Sequence, residues 1–189
     1  MKISESLLRR IVRSELLRES AVTPEEADRK GVTFTVKQSN ALIEIIATRR
    51  DETVGVLRAE MTRDPCADAW EITRSKSKID GMGPLLYDLM IDLVHPDPLT
   101  SDRGSVSADA KGVWDFYMSR RPDIESITLD NRRNERTPEP SDNCIQASAM
   151  MWSNQEGKPW YNLSLARAYK RKDGGTPTLD ELDDLIEFV

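Results

Sequence analysis

Trp70-Glu71-Ile72-Thr73-Arg74-Ser75, then Lys78-Ile79-Asp80-Gly81-Met82-Gly83, then Pro84-Leu85-Leu86-Tyr87-Asp88-Leu89-Met90-Ile91-Asp92-Leu93-Val94 is the stretch that decides the fold. The first part alternates like a strand and the last is an apolar helical run. The glycines between them let the backbone bend and approach a ligand closely. A helix start presents free N–H groups and a positive dipole end to anions, and Lys76 and Lys78 stand beside it. The order strand, basic turn, glycine loop, helix therefore predicts a seat for a pyrophosphate. Gly-x-Gly is also a plain joint between a strand and a helix. Spacing excludes two other phosphate loops: no Gly-Lys-Ser/Thr of the Walker type follows, and the three-glycine dinucleotide fingerprint is not met.

Working outward, Val32-Thr33-Phe34-Thr35-Val36 alternates, Ala41 to Thr48 is rich in β-formers, and Thr53 to Met61 is a third strand. Asn40 marks the first turn and Arg49-Arg50-Asp51-Glu52 the second, as short hairpins need. Alternation puts Glu71, Thr73 and Ser75 on one side of the fourth strand. After the helix, His95-Pro96-Asp97-Pro98 makes a poor strand, so a fifth one is confined to Leu99 to Ser101. Ser107 is placed to cap a second helix, on which Val113, Trp114 and Tyr117 share one face. Ile124 to Leu129 reads as a further strand.

Lys78 to Gly83 resembles the acetyl-CoA loop of the GNAT superfamily of N-acetyltransferases, Gln/Arg-x-x-Gly-x-Gly/Ala, with lysine in the first place. Gly83-Pro84-Leu85-Leu86-Tyr87 and the block from Ser101 to Tyr117 are similar to GNAT-like proteins of tailed phages. The resemblance spans residues 32–130. It implies an α+β fold with a mixed, mainly antiparallel sheet flanked by helices. It also implies that Lys78, Ile79, Asp80, Gly81, Met82 and Gly83 hold acetyl-CoA between splayed fourth and fifth strands. Many members use a tyrosine on the next helix to protonate the departing thiolate. The usual place holds Trp114 here, and Tyr117, one turn later, is the candidate acid, with an ordinary tyrosine pKa of about 10. Aromatics at this spacing also serve as core. Glu71, with Glu60 beside it, is the candidate for relaying the acceptor's proton; the plainer role for either is to face solvent.

The chain has 189 residues with 38% hydrophobic and 32% charged, enough for one globular domain with extra segments. A net charge of −6 argues against non-specific nucleic-acid binding. Two cysteines, Cys66 and Cys144, are too few for a disulfide framework, and the chain reads as intracellular. One histidine, His95, with two distant cysteines gives no zinc site. No apolar run is long enough for a membrane span, and no secretory leader is seen.

Residues 1–20 place Ile3, Leu7, Leu8, Ile11, Val12, Leu16 and Leu17 on one helical face, and residues 21–31 read as a linker with Pro24 opening a short turn. This leader is similar to amphipathic leaders of marine tailed-phage proteins, which implies delivery to a capsid or assembly partner and a location in host cytoplasm or on the virion. Packing on its own domain is the ordinary alternative. Residues 131–189 read as a polar loop and a C-terminal extension, with Trp152, Trp160 and Tyr161 as substrate contacts or as anchors of the extension. Thr178-Leu179-Asp180-Glu181 predicts a capping box opening a last helix with Leu179, Leu182, Leu185 and Ile186 on its apolar face. Two functions are thus expected in competition: an acetyl-CoA-dependent N-acetyltransferase, or a GNAT-like phage structural protein without catalysis.

Overall fold

Alternation of apolar and polar residues builds one side of the sheet. In the computed structural model, which describes residues 21–62, 69–130, 139–140 and 143–189, β1 (Val32–Gln38) buries Val32, Phe34 and Val36. β2 (Leu42–Arg49) buries Ile43, Ile45 and Ala47 opposite them. β3 (Glu52–Met61) and β4 (Trp70–Ser77) continue the antiparallel ladder. The β2–β3 turn has Arg50 and Asp51 both at positive φ, 51° and 64°. Two successive left-handed residues match the twist of a tight hairpin.

α2 (Met82–Val94) packs on this side, burying Leu85, Leu86, Leu89, Met90 and Ile91. Its approach to β3 requires Gly55, where a Cβ would lie 3.1 Å from Leu86 Cδ1 and 3.3 Å from the Ala47 Cβ. The chain then gives β5 (Leu99–Thr100), α3 (Ala108–Arg120), β6 (Ile124–Thr128), α4 (Ala147–Glu156), β7 (Arg167–Arg171), α5 (Pro177–Glu181) and β8 (Ile186–Phe188). The eight strands form one mixed sheet in the order β6-β7-β5-β4-β3-β2-β1-β8. Only the β4–β5 and β1–β8 pairs are parallel. Ser107 caps α3 as expected, its Oγ accepting from the Ala110 N–H at 3.2 Å.

Several expectations are corrected. Within residues 21–31 the short turn of helix expected at Pro24 is present as α1 (Pro24–Arg29), capped by Thr23, and the stretch docks through the buried Val22 and Ala27. The C-terminal part is no appendage, because β7 fills the sheet between β5 and β6. Thr178 opens no capping box: α5 starts at Pro177, and Ile186 enters β8 beside β1. The reason is Asp92. Its Oδ2 accepts the Thr178 and Leu179 N–H groups at 2.7 and 3.1 Å, so a carboxylate from α2 caps α5. Cys144 is not a free thiol; it is buried and disulfide-bonded, with its partner outside the described residues. The leader helix expected over residues 1–20 also lies outside the described residues. No described helix is long and apolar enough to cross a membrane.

Candidate functional site

β4 and β5 run side by side for only two residues, Trp70 with Leu99 and Glu71 with Thr100. β5 then ends, while β4 continues to Ser77 with its β5-side edge unpaired among the described residues. The prolines at 96 and 98 and the acid at 97 explain why the fifth strand is this short. The result is a fork whose upper arm leads directly into the glycine loop.

At the tip of that arm Ser77 shapes the turn, its Oγ accepting from the Ile79 N–H at 3.1 Å and donating to the Ile79 carbonyl at 2.8 Å. Gly81 is the N-cap of α2 with φ 77°, a left-handed conformation that favours glycine, and no side chain caps the helix. The Met82 N–H is spent on the Ile79 carbonyl at 3.2 Å. Pro84 has no N–H, and the Gly83 N–H finds no acceptor among the described residues. A Cβ built on Gly83 would meet nothing within 4 Å. The loop therefore offers an anion one free amide over open space, with exposed Lys76 and Lys78 nearby. The Gly81 carbonyl accepts the Val22 N–H at 3.0 Å, so the chain leaving residues 1–20 passes beside the loop.

Glu71 stands where the strands part. It is half-buried, and its Oε1 accepts the Arg103 N–H at 2.8 Å, tying down the loop that leaves β5. Glu60 lies opposite on β3 and receives Arg58 Nη2 at 2.8 Å and Thr73 Oγ1 at 3.3 Å. The register shifts at Thr73, so a bulge breaks the expected alternation. Glu71 and Thr73 share the far face of the sheet, whereas Ser75 pairs with the buried Leu57 and so lies on the side of α2 and Tyr87. Burial pushes the Tyr87 hydroxyl up to about 12. Sequence reasoning missed this tyrosine, and only the bulge, which has no sequence signature here, brings Ser75 to it.

Tyr117 sits on α3. It is 2% exposed, and its hydroxyl donates to Asp88 Oδ1 at 2.8 Å. Burial first, and the Asp88 charge next, raise its pKa well above the ordinary tyrosine value. Arg121 binds both Asp88 oxygens, at 2.8 and 2.9 Å, and both oxygens of Asp123. Asp123 also meets Arg171, which continues to Asp92. Tyr117 thus begins an ionic chain linking α2, α3, β6, β7 and α5, and none of its partners belongs to residues 78–83. Trp114 packs edge-on to Tyr87 and stacks on Tyr169, with centroids 5.2 Å apart in each case. Trp152 donates to the Val106 carbonyl at 3.2 Å, and Trp160 packs edge-on to Tyr161. These contacts anchor the segment after β6.

Two grooves open away from the fork. One of about 910 Å³ lies between the end of α3 and β6, and one of about 550 Å³ between Trp70 and the C-terminal Phe188 and Val189. Neither is lined by Glu71 or residues 78–83. No cluster among the described residues could hold a metal ion.

Two predictions arise here. Tyr117→Phe is expected to lower stability by about 1 kcal/mol through the lost bond to Asp88 and to leave any transfer rate unchanged; a rate loss of about 100-fold at equal cofactor affinity would return Tyr117 to the chemistry. Asp123 is held down to about 2, chiefly by its hydrogen bonds to Arg121. A depressed carboxylate contributes stability that is present above its unfolded value near 3.8 and is lost as pH falls through 2. Asp123→Asn should flatten stability across that window, read by urea melts at stepped pH; an unchanged slope would contradict it.

No protein-family model, no curated protein and no solved structure matches the chain.

Proposed function

We propose that the chain is an acetyl-CoA-dependent N-acetyltransferase of the GNAT type, acting on a small amine at the fork between β4 and β5. The observation that carries this reading is the parallel β4–β5 pair that parts after Glu71 and Thr100 and feeds straight into the Gly81-Met82-Gly83 helix start. The free edge of β4 offers N–H and C=O groups to the amides of an extended pantetheine arm. Gly83 offers its amide to the pyrophosphate, and Lys76 and Lys78 offer charge.

In this reading Glu71 takes the proton that the acceptor ammonium must lose before its nitrogen attacks the thioester, through water or directly. The carbon–sulfur bond then breaks with its electron pair on sulfur. With the Tyr117 proton committed to Asp88, the thiolate leaves into solvent and is protonated there. Calorimetry with acetyl-CoA, paired with thiol release over a panel of amines and lysine peptides, tests the proposal. Micromolar binding with turnover is expected, and absence of binding would end it.

The commitment of Tyr117 to Asp88 favours a second reading, a GNAT-like phage structural or assembly protein without catalysis, directed to the virion by residues 1–20. Binding of acetyl-CoA without turnover on any amine would support that alternative.

A further inference from the structure

Among the described residues two buried side-chain nitrogens have no hydrogen-bond partner, His95 Nδ1 and Arg167 Nε. The arginine is the more telling: its side chain is half-buried, but its Nε is a buried donor with no acceptor, which is costly unless a ligand completes it. Arg167 opens β7 opposite Thr128, and its carbonyl accepts Thr100 Oγ1 at 3.1 Å. Since Thr100 pairs with Ala168, Arg167 stands at the end of the sheet where β4 and β5 part.

Alternation along β7 puts its half-buried side chain on the side of Tyr169 and Arg171. Arg171, on the same face, is fully paired by Asp92, Asp123 and Thr178. Tyr169 donates to the Ser164 carbonyl at 2.8 Å, and Asp115 holds Ser164 Oγ and Lys111 Nζ, each at 2.7 Å. The Arg167 charge is felt at the Tyr169 hydroxyl, as is that of Asp115. Arg167 Nε is thus left without an acceptor among the described residues.

We propose that Arg167 anchors an oxyanion site at the fork end of β7, taking a carboxylate or phosphate group of a small-molecule ligand. Resting on the transferase reading, this group belongs to the acceptor, an amine carrying an anion that reaches through the gap where β4 and β5 part, from Arg167 on the α2 face to Glu71 on the other. A guanidinium fork suits either oxyanion, and a lysine cannot reproduce its two-point geometry.

The test is a titration of the full chain with sodium acetate or sodium phosphate at constant ionic strength, following the arginine Nε–Hε resonances by NMR. The Arg167 signal, assigned by its loss in Arg167→Lys, is expected to move saturably, and acetate against phosphate tells which oxyanion is preferred. Movement no larger than that of the exposed Arg49 and Arg50 would overturn the site. In thiol-release assays Arg167→Lys should raise KM for a carboxylate-bearing amine about tenfold over its neutral amide analogue, with kcat unchanged. Equal KM changes for both would overturn the acceptor assignment. A saturable shift in a protein that transfers to no amine would keep the oxyanion site and remove only the transferase reading.

Discussion

Asp92→Ala is expected to lower stability by about 3–5 kcal/mol, because it removes one partner of a buried ion pair and leaves the other charged. The Asp92 and Arg171 side chains are 0% and 4% exposed and meet at 2.7 Å. The same carboxylate caps α5 through the Thr178 and Leu179 amides, so its loss also leaves helix-end donors without an acceptor. For a domain of this size the melting midpoint should fall by roughly 6–20 °C. Asp92→Asn should do less harm, since its amide oxygen still accepts from α5. A midpoint for the alanine variant within about 3 °C of the parent would mean that α5 holds its place by apolar packing alone.

How legible this architecture was depends on distance along the chain. β1 to β4 announce themselves because each has one apolar face at a spacing of two, and α2 because its apolar run is too long for a strand. The fork was legible for the same local reason: two prolines and an acid cannot extend β5. The ionic chain was not. Arg171 reaches Asp92 across 79 positions and Asp123 across 48, and no local pattern marks a buried arginine. β7 therefore escaped notice, since Arg-Ala-Tyr-Lys-Arg has the composition of a surface segment until its charges are paired.

The same limit governs the site. Gly81 and Gly83 were visible as punctuation, and both do what a strand-to-helix joint requires. Tyr117 is the candidate acid by resemblance alone, and its helical spacing does not foretell that its hydroxyl is held by Asp88, itself held by Arg121. The bulge at Thr73 moved Ser75 away from Glu71, so only Glu71 and Thr73 remain together on the far face. Ile186 fits the apolar spacing of a helix, yet it pairs with Phe34 in β8, where edge pairing outweighs a short helical pattern.

Gly83→Val is expected to abolish acetyl-CoA binding, at least about 100-fold, while leaving the fold intact. A Cβ at this position meets nothing within 4 Å among the described residues, so the side chain enters the space in front of the loop. Valine is also no worse than glycine in a helix, which keeps the melting midpoint near that of the parent. The loss comes from the approach: two methyl groups would stand between the pyrophosphate and the free Gly83 amide, removing a charge-assisted hydrogen bond and holding the phosphate away from Lys76 and Lys78. Gly81→Val is the poorer test, because a branched residue at φ 77° strains the helix start and mixes folding with binding. Gly83→Ala should fall between, with a single methyl group narrowing the cradle. Calorimetry on the folded valine variant decides the matter: affinity equal to the parent's would show that the ligand does not pass over Gly83, and the glycine loop would then be only the joint between β4 and α2.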